Sequence, residues 1–148
     1  MKVCSVDIQG SEALFCILSL DNGLMSTHDC RQTRIPLKKA DEQTSDTEQV
    51  RRFQQIFAKL CEDYQIENVV IRERPKKGKF AGGAEGFKIE TAIQLISGVR
   101  VELMSNHAIK EQLKHTPLLV DSRGAGLKKF QESAFQTGFA WLNKVRAR

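Results

Sequence analysis

Asp7 is the first residue whose placement could carry chemistry. It sits near the end of KVCSVDIQG, an apolar run that reads as a strand, with Gly10 three residues beyond. Val3, Ser5 and Asp7 share one face of such a strand, and Cys4, Val6 and Ile8 the other. A carboxylate at a buried strand's tip is costly unless a hydrogen bond, a counter-charge or a metal ion compensates it. Two roles fit: capping a turn through Gly10, or helping to hold a cation. A second group lies between Arg72 and Lys88, where Arg72, Arg74, Lys76, Lys77, Lys79 and Lys88 face only Glu73 and Glu85. That stretch carries +4 of the chain's net +5. Charge concentrated in this way points to a polyanion such as DNA or RNA; a solvated lysine-rich loop is the bland reading of the same residues. Gly78, Gly82, Gly83 and Gly86 allow close backbone approach. Phe80 and Phe87 could each stack on an unpaired base or anchor the loop to the core. Neither GxxxxGK[ST] nor GxGxxG is present, so this is not a nucleotide phosphate loop.

The rest of the composition narrows the class. A chain of 148 residues, 41% hydrophobic and 28% charged, suits one globular domain spanning 1–148. No apolar run is long enough to span a membrane, and the N-terminus opens on strand pattern instead of a signal stretch, so the cytoplasm is the expected location. Cys4, Cys16, Cys30 and Cys61 lack CxxC spacing and read as free, mostly buried thiols, not as a zinc site. His28, His107 and His115 are scattered and form no ligand motif.

The elements that must position these residues follow from periodicity. Strand pattern covers Lys2 to Ile8, Ala13 to Leu20 and Leu24 to Asp29, the last two flanking Asp21-Asn22-Gly23. Asn-Gly between apolar runs is a strong hairpin signal. Val50, Phe53, Ile56, Phe57, Leu60 and Tyr64 share a helix face, opened by the capping-box pattern Ser45-Asp46-Thr47-Glu48. NVVIRE, from Asn68 to Glu73, reads as a buried strand. A second helix carries Ile89, Ala92, Ile93 and Ile96 and ends at Gly98. Val99 to Met104 is a further strand, and a short helix spans His107 to Lys114. The last helix runs from Leu127 to Val145, with Leu127, Phe130, Ala134, Gly138, Trp141, Leu142 and Val145 on one stripe. The order β-β-β-α-β-α-β-α predicts a mixed sheet, its first three strands antiparallel and its later strands added by right-handed crossovers, with helices on both faces.

With that order in place, VCSVDIQG and VVIRE resemble two strands of the ribonuclease H-like superfamily, in its RuvC-like Holliday-junction-resolvase branch. The first matches a pattern of apolar, small, apolar, Asp, any residue, Gly; the second matches the strand that ends in a catalytic glutamate. The likeness also extends to a small bacterial family of unknown function in that superfamily. It implies a five-stranded mixed α/β sheet and carries over Asp7 and Glu73 as catalytic metal ligands. Lys110 is carried over from the lysine that meets phosphate after the last strand. Implied too are Mg²⁺ or Mn²⁺, a DNA or RNA substrate, branched in many relatives, and action as a homodimer. The chemistry agrees, because phosphodiester hydrolysis is helped by two divalent ions held by carboxylates on rigid elements. If the two strands are parallel neighbours, Asp7 and Glu73 meet at one end of the sheet.

The departure lies in the final helix, where relatives are Asp-rich and this chain reads KKFQESAFQTGF. Glu132 is the only acid there and Asp121 the nearest before it, which makes these two the candidates for a third catalytic carboxylate. On a helical wheel Gln131 lies about 40° from the core-facing stripe and Glu132 about 140° away. Gln131 is therefore expected nearer Asp7, leaving a weakened metal site. Three functions stay open: a metal-dependent endonuclease, a non-catalytic nucleic-acid-binding module, and a regulatory protein-interaction domain.

Overall fold

The computed structural model describes residues 1–75 and 83–147. Its strands are β1 (Lys2–Gln9), β2 (Glu12–Asp21), β3 (Leu24–His28), β4 (Arg34–Pro36), β5 (Asn68–Arg72) and β6 (Arg100–Met104). Its helices are α1 (Asp46–Asp63), α2 (Ala84–Gln94), α3 (Asn106–His115) and α4 (Glu132–Arg146), the last preceded by a 3-10 turn at Lys129–Gln131. The strands form one sheet in the order β3-β2-β1-β5-β6. β1, β2 and β3 are antiparallel, while β5 and β6 run parallel to β1.

Local chemistry accounts for the turns. Asn22 and Gly23 have φ of 53° and 80°, the pair of left-handed residues that a two-residue hairpin between β2 and β3 demands. Gly10 at φ 57° turns β1 into β2, so that Gln9 pairs with Glu12. Ser45 caps α1 by accepting from the Glu48 N–H at 3.2 Å.

Two expectations change. The sheet has six strands, not five, because β4 pairs with the first part of β2 while β3 pairs with its remainder. A three-residue strand containing Pro36 leaves almost no alternation to read, yet it buries Ile35 completely. The last helix also starts later than Leu127, at Glu132, after the 3-10 turn.

Alternation splits the core in two. Cys4, Val6, Ile8, Phe15, Val69 and Ile71 face α1 and α2, where Phe15 meets Phe57 edge-on with ring centroids 5.6 Å apart. Val3, Cys16, Leu18 and Val70 face α3 and α4 with Phe135 and Trp141. On this second side α4 lies very close to the sheet. A Cβ at Gly138 would stand 2.7 Å from Leu18 Cδ1 and 2.9 Å from Ser5 Cβ. Ser5 Oγ donates to the Ala134 carbonyl at 2.5 Å. These contacts fix the N-terminal end of α4 above the end of β1 that carries Asp7.

The four cysteines are free. Burial holds the Cys4 thiol well above its usual range and pushes Cys61 up to about 12, so both stay protonated, unlike metal-binding thiolates. No helix among the described residues is long and apolar enough to cross a membrane.

Candidate functional site

β1 and β5 are parallel neighbours, with Cys4, Ser5 and Val6 paired to Val69, Val70 and Ile71. One step further along the same register, Asp7 stands level with Arg72. Asp7 also pairs with Leu14 on β2, and Leu14 with Arg34 on β4. Arg34, Leu14, Asp7 and Arg72 thus form a row across the sheet, all on the α3/α4 side. Adjacent strands are about 4.8 Å apart, so Arg72 is one strand from Asp7 and Arg34 two.

Asp7 is nearly buried, and its Oδ2 accepts from Gln9 Nε2 at 2.7 Å. The Gly10–Ser11 turn is closed by backbone pairing, so the carboxylate is not needed as a turn cap. Arg72 is held from two sides. Its Nε donates to Asn106 Oδ1 and its Nη1 to Ser133 Oγ, each at 2.6 Å. Asn106 opens α3 and Ser133 lies in the first turn of α4. Two helix N-termini therefore meet at the Arg72 guanidinium, and their common sign is positive.

Glu73 follows the last residue of β5, its N–H donating to the Met104 carbonyl at 2.9 Å. It lies at the same end of the sheet as Asp7. Continued alternation assigns its side chain to the opposite face, and the place facing Asp7 belongs to Arg72. The signal was in VVIRE: Val70 and Arg72 share a face, so the residue opposite Asp7 depends on a register that sequence alone does not show. Asn106, Ser133 and Gln9 lie around this edge without any motif to announce them.

The other candidates have separate occupations. Gln131 is buried; its Nε2 donates to the Phe15 carbonyl and its Oε1 accepts from the Lys128 N–H, both at 2.9 Å. Glu132 turns away, accepting from the Ser122 N–H at 2.6 Å and from Gln136 Nε2 at 3.2 Å. Asp121 accepts from the Gly124 N–H at 2.7 Å and closes the turn that Glu132 tethers. Of the two neighbours on the wheel, it is Gln131 that meets the sheet. Arg74 donates to the Gly83 carbonyl at 3.2 Å and lies 5.4 Å from the Phe87 ring centroid, in a notch left by the absent side chain of Gly86. Lys88 pairs with Asp46 at 2.9 Å on the surface, and Lys110 is exposed on α3. Lys76, Lys77, Lys79 and Phe80 lie outside the described residues.

A divalent ion needs several hard oxygen ligands gathered on one side. Among the described residues no group of three or more His, Cys, Asp or Glu is gathered to hold a metal. Beside Asp7 the neighbouring place in the row is filled by a cation, Arg72. The described residues around Asp7 therefore gather no carboxylate set of that size.

The sheet order, with its antiparallel β1–β3 and parallel β5 and β6 between helical layers, defines a ribonuclease H-like fold of the Holliday-junction-resolvase type. The chain is similar to Thermus thermophilus RuvC, with 15% identity and a TM-score of 0.74 over 99% of this chain and 96% of that one. A structure of T. thermophilus RuvC in complex with Holliday junction substrate matches at 15% identity, TM-score 0.73 and the same coverage. The yeast mitochondrial Holliday junction resolvase Ydc2 matches at 8% identity and TM-score 0.60, over 95% of this chain and 77% of that one. No curated protein matches the sequence. The chain belongs to DUF3010, a family described as protein of unknown function, whose model matches residues 1–141.

Proposed function

We propose that this protein binds nucleic acid, with branched or partly unpaired DNA or RNA as its preferred form, and holds it at the Asp7 edge of the sheet. The observation that carries this reading is Arg72, a guanidinium fixed by Asn106 and Ser133 in the place level with Asp7. A cation so placed favours phosphate and disfavours a second positive charge such as Mg²⁺ or Mn²⁺. The basic residues following β5 supply further phosphate contacts. The resemblance to resolvases adds the expectation of a branched partner and of a homodimer.

The endonuclease reading, with Asp7, Glu73 and a divalent ion, is kept by one feature: Asp7 lies near the end of β1 and Glu73 just after β5, its parallel neighbour, at the same edge of the sheet. A Mn²⁺ titration separates the two, run on wild type, Asp7→Asn and Arg72→Glu with a four-way DNA junction as probe. Binding that is salt-sensitive, independent of metal and free of cleavage is expected of wild type. Arg72→Glu, which puts a second carboxylate beside Asp7, should gain Mn²⁺ affinity while losing junction affinity. Tight Mn²⁺ binding and cleavage by wild type, both abolished in Asp7→Asn, would replace this reading with the nuclease.

A further inference from the structure

Beyond Asp7, on the side away from Arg72, the row ends at Arg34, and here the 3-10 turn at Lys129–Gln131 brings a half-buried aromatic ring against the sheet margin. The ring centroid of Phe130 is 5.0 Å from the Arg34 guanidinium carbon and 6.0 Å from Lys128 Nζ. Neither cation is buried: the Arg34 side chain is 53% exposed and Lys128 is exposed. Glu12 pairs with Arg34, so Arg34, Lys128 and Lys129 leave this corner with a positive balance.

The turn that presents the ring is rigidly founded. Gln131 bonds at once to the Phe15 carbonyl on β2 and to the Lys128 N–H, closing the turn from beneath. The neighbouring buried place is taken by Gln131, and the Phe130 ring lies half-buried between two cations. A half-buried aromatic ring at the surface, flanked by phosphate-binding cations, is a combination that single-stranded nucleic acid recognises: the base stacks and the cations meet the adjoining phosphates.

We propose that Phe130, flanked by Arg34 and Lys128, is a stacking platform for an unpaired base, two strands across the sheet from Asp7. This rests on the nucleic-acid reading above and adds a site and a specificity to it. The platform makes unpaired nucleotides, not continuous duplex, the preferred ligand at this corner. Lys128 moves from the ring to a phosphate as the base arrives, while Arg34, held by Glu12, keeps its place.

The test uses the full chain and two fluorescein-labelled probes, a 12-nucleotide oligo(dT) and a duplex of equal length, read by anisotropy over a range of salt. Phe130→Ala and Phe130→Leu should each weaken oligo(dT) binding by roughly 5- to 150-fold, the usual worth of one stacked base, with duplex binding little changed. Phe130→Trp should retain affinity, and its indole fluorescence should be quenched by the bound strand. Phe130→Leu keeps an apolar shelf under Arg34, so a loss of binding with an unchanged melting temperature assigns the effect to stacking. Wild-type binding that Phe130→Leu leaves intact would overturn the platform and spare the function. Absence of any nucleic-acid binding by wild type would overturn both.

Discussion

Basic residues flank Asp7 on both sides of its row, Arg72 one strand away and Arg34 two, and the two sides are built in opposite ways. On the β5 side the positive charge is continuous in the chain, running from Arg72 to Lys88. On the β4 side it is assembled from Arg34 and Lys128 around the Phe130 ring, nearly a hundred residues apart in sequence and joined only by folding. Under the proposed function the first kind of patch would tolerate variation, since the lysines of the run would be interchangeable as phosphate contacts. The second depends on one register, Leu14 with Arg34, and on one buried amide, Gln131. Affinity and its salt dependence are therefore expected to come from the β5 side, and preference for unpaired nucleotides from the β4 side.

The largest effect should come from removing the continuous charge. Replacing Lys76, Lys77 and Lys79 together by Ala should lower the salt slope of binding by up to about three, the sum of three lost phosphate contacts. The preference for oligo(dT) over duplex should survive. If the slope is unchanged while preference disappears, the two sides have exchanged roles and the division drawn here is wrong.

The same contrast explains what the sequence discloses. The order of strands and helices apart from β4, the Asn22-Gly23 hairpin, the Ser45 cap and the split of Cys4, Val6 and Ile8 from Val3 and Ser5 were legible, because each depends on local spacing. So was the arrival of β1 and β5 at a common edge, through the resemblance to resolvases. What stands opposite Asp7 was not legible. It turns on whether Ile71 or Arg72 pairs with Val6, and a shift of one residue exchanges Arg72 with Glu73 on that face. β4 escaped notice because three residues around a proline carry no period. Phe130 was assigned to the core stripe of an uninterrupted helix, and the 3-10 turn before Glu132 changes its phase. The helical wheel still separated Gln131 from Glu132 correctly in one respect, since Gln131 reaches the sheet and Glu132 reaches Ser122.

A change at Gln131 sharpens the β4 side alone. Gln131→Leu keeps the volume but strands the Phe15 carbonyl and the Lys128 N–H, at a cost of about 1–3 kcal/mol, visible as a lowered urea midpoint. With its foundation lost, the 3-10 turn no longer holds Phe130 out, so oligo(dT) preference should fall while the salt slope stays within about one of wild type. A variant as stable as wild type, with preference intact, would show that the turn is held by other contacts.

The smallest expected effect concerns Arg74, and its sign is informative. A Cβ on Gly86 would lie 1.3 Å from Arg74 Nη1, so Gly86→Ala must drive the guanidinium from its notch. The displacement gives up the contact with Phe87, worth about 0.5–1 kcal/mol at an exposed site. Against this, Ala is favoured over Gly within a helix by about 0.8–1 kcal/mol, and Gly86 lies in α2 with ordinary helical neighbours. The hydrogen bond from Arg74 to the Gly83 carbonyl is given up as well, a further loss of about 0.5–1.5 kcal/mol, so the melting temperature should stay level or fall slightly. Binding then reads out what Arg74 does. If it serves only to fasten the end of β5 to the start of α2, its release frees a charge for phosphate and the salt slope should rise by up to about one. A fall by a similar amount would mean that Arg74 already meets phosphate from within the notch. The β5 side would then include a positioned arginine, and its charge would be less interchangeable than the comparison with the Phe130 corner requires.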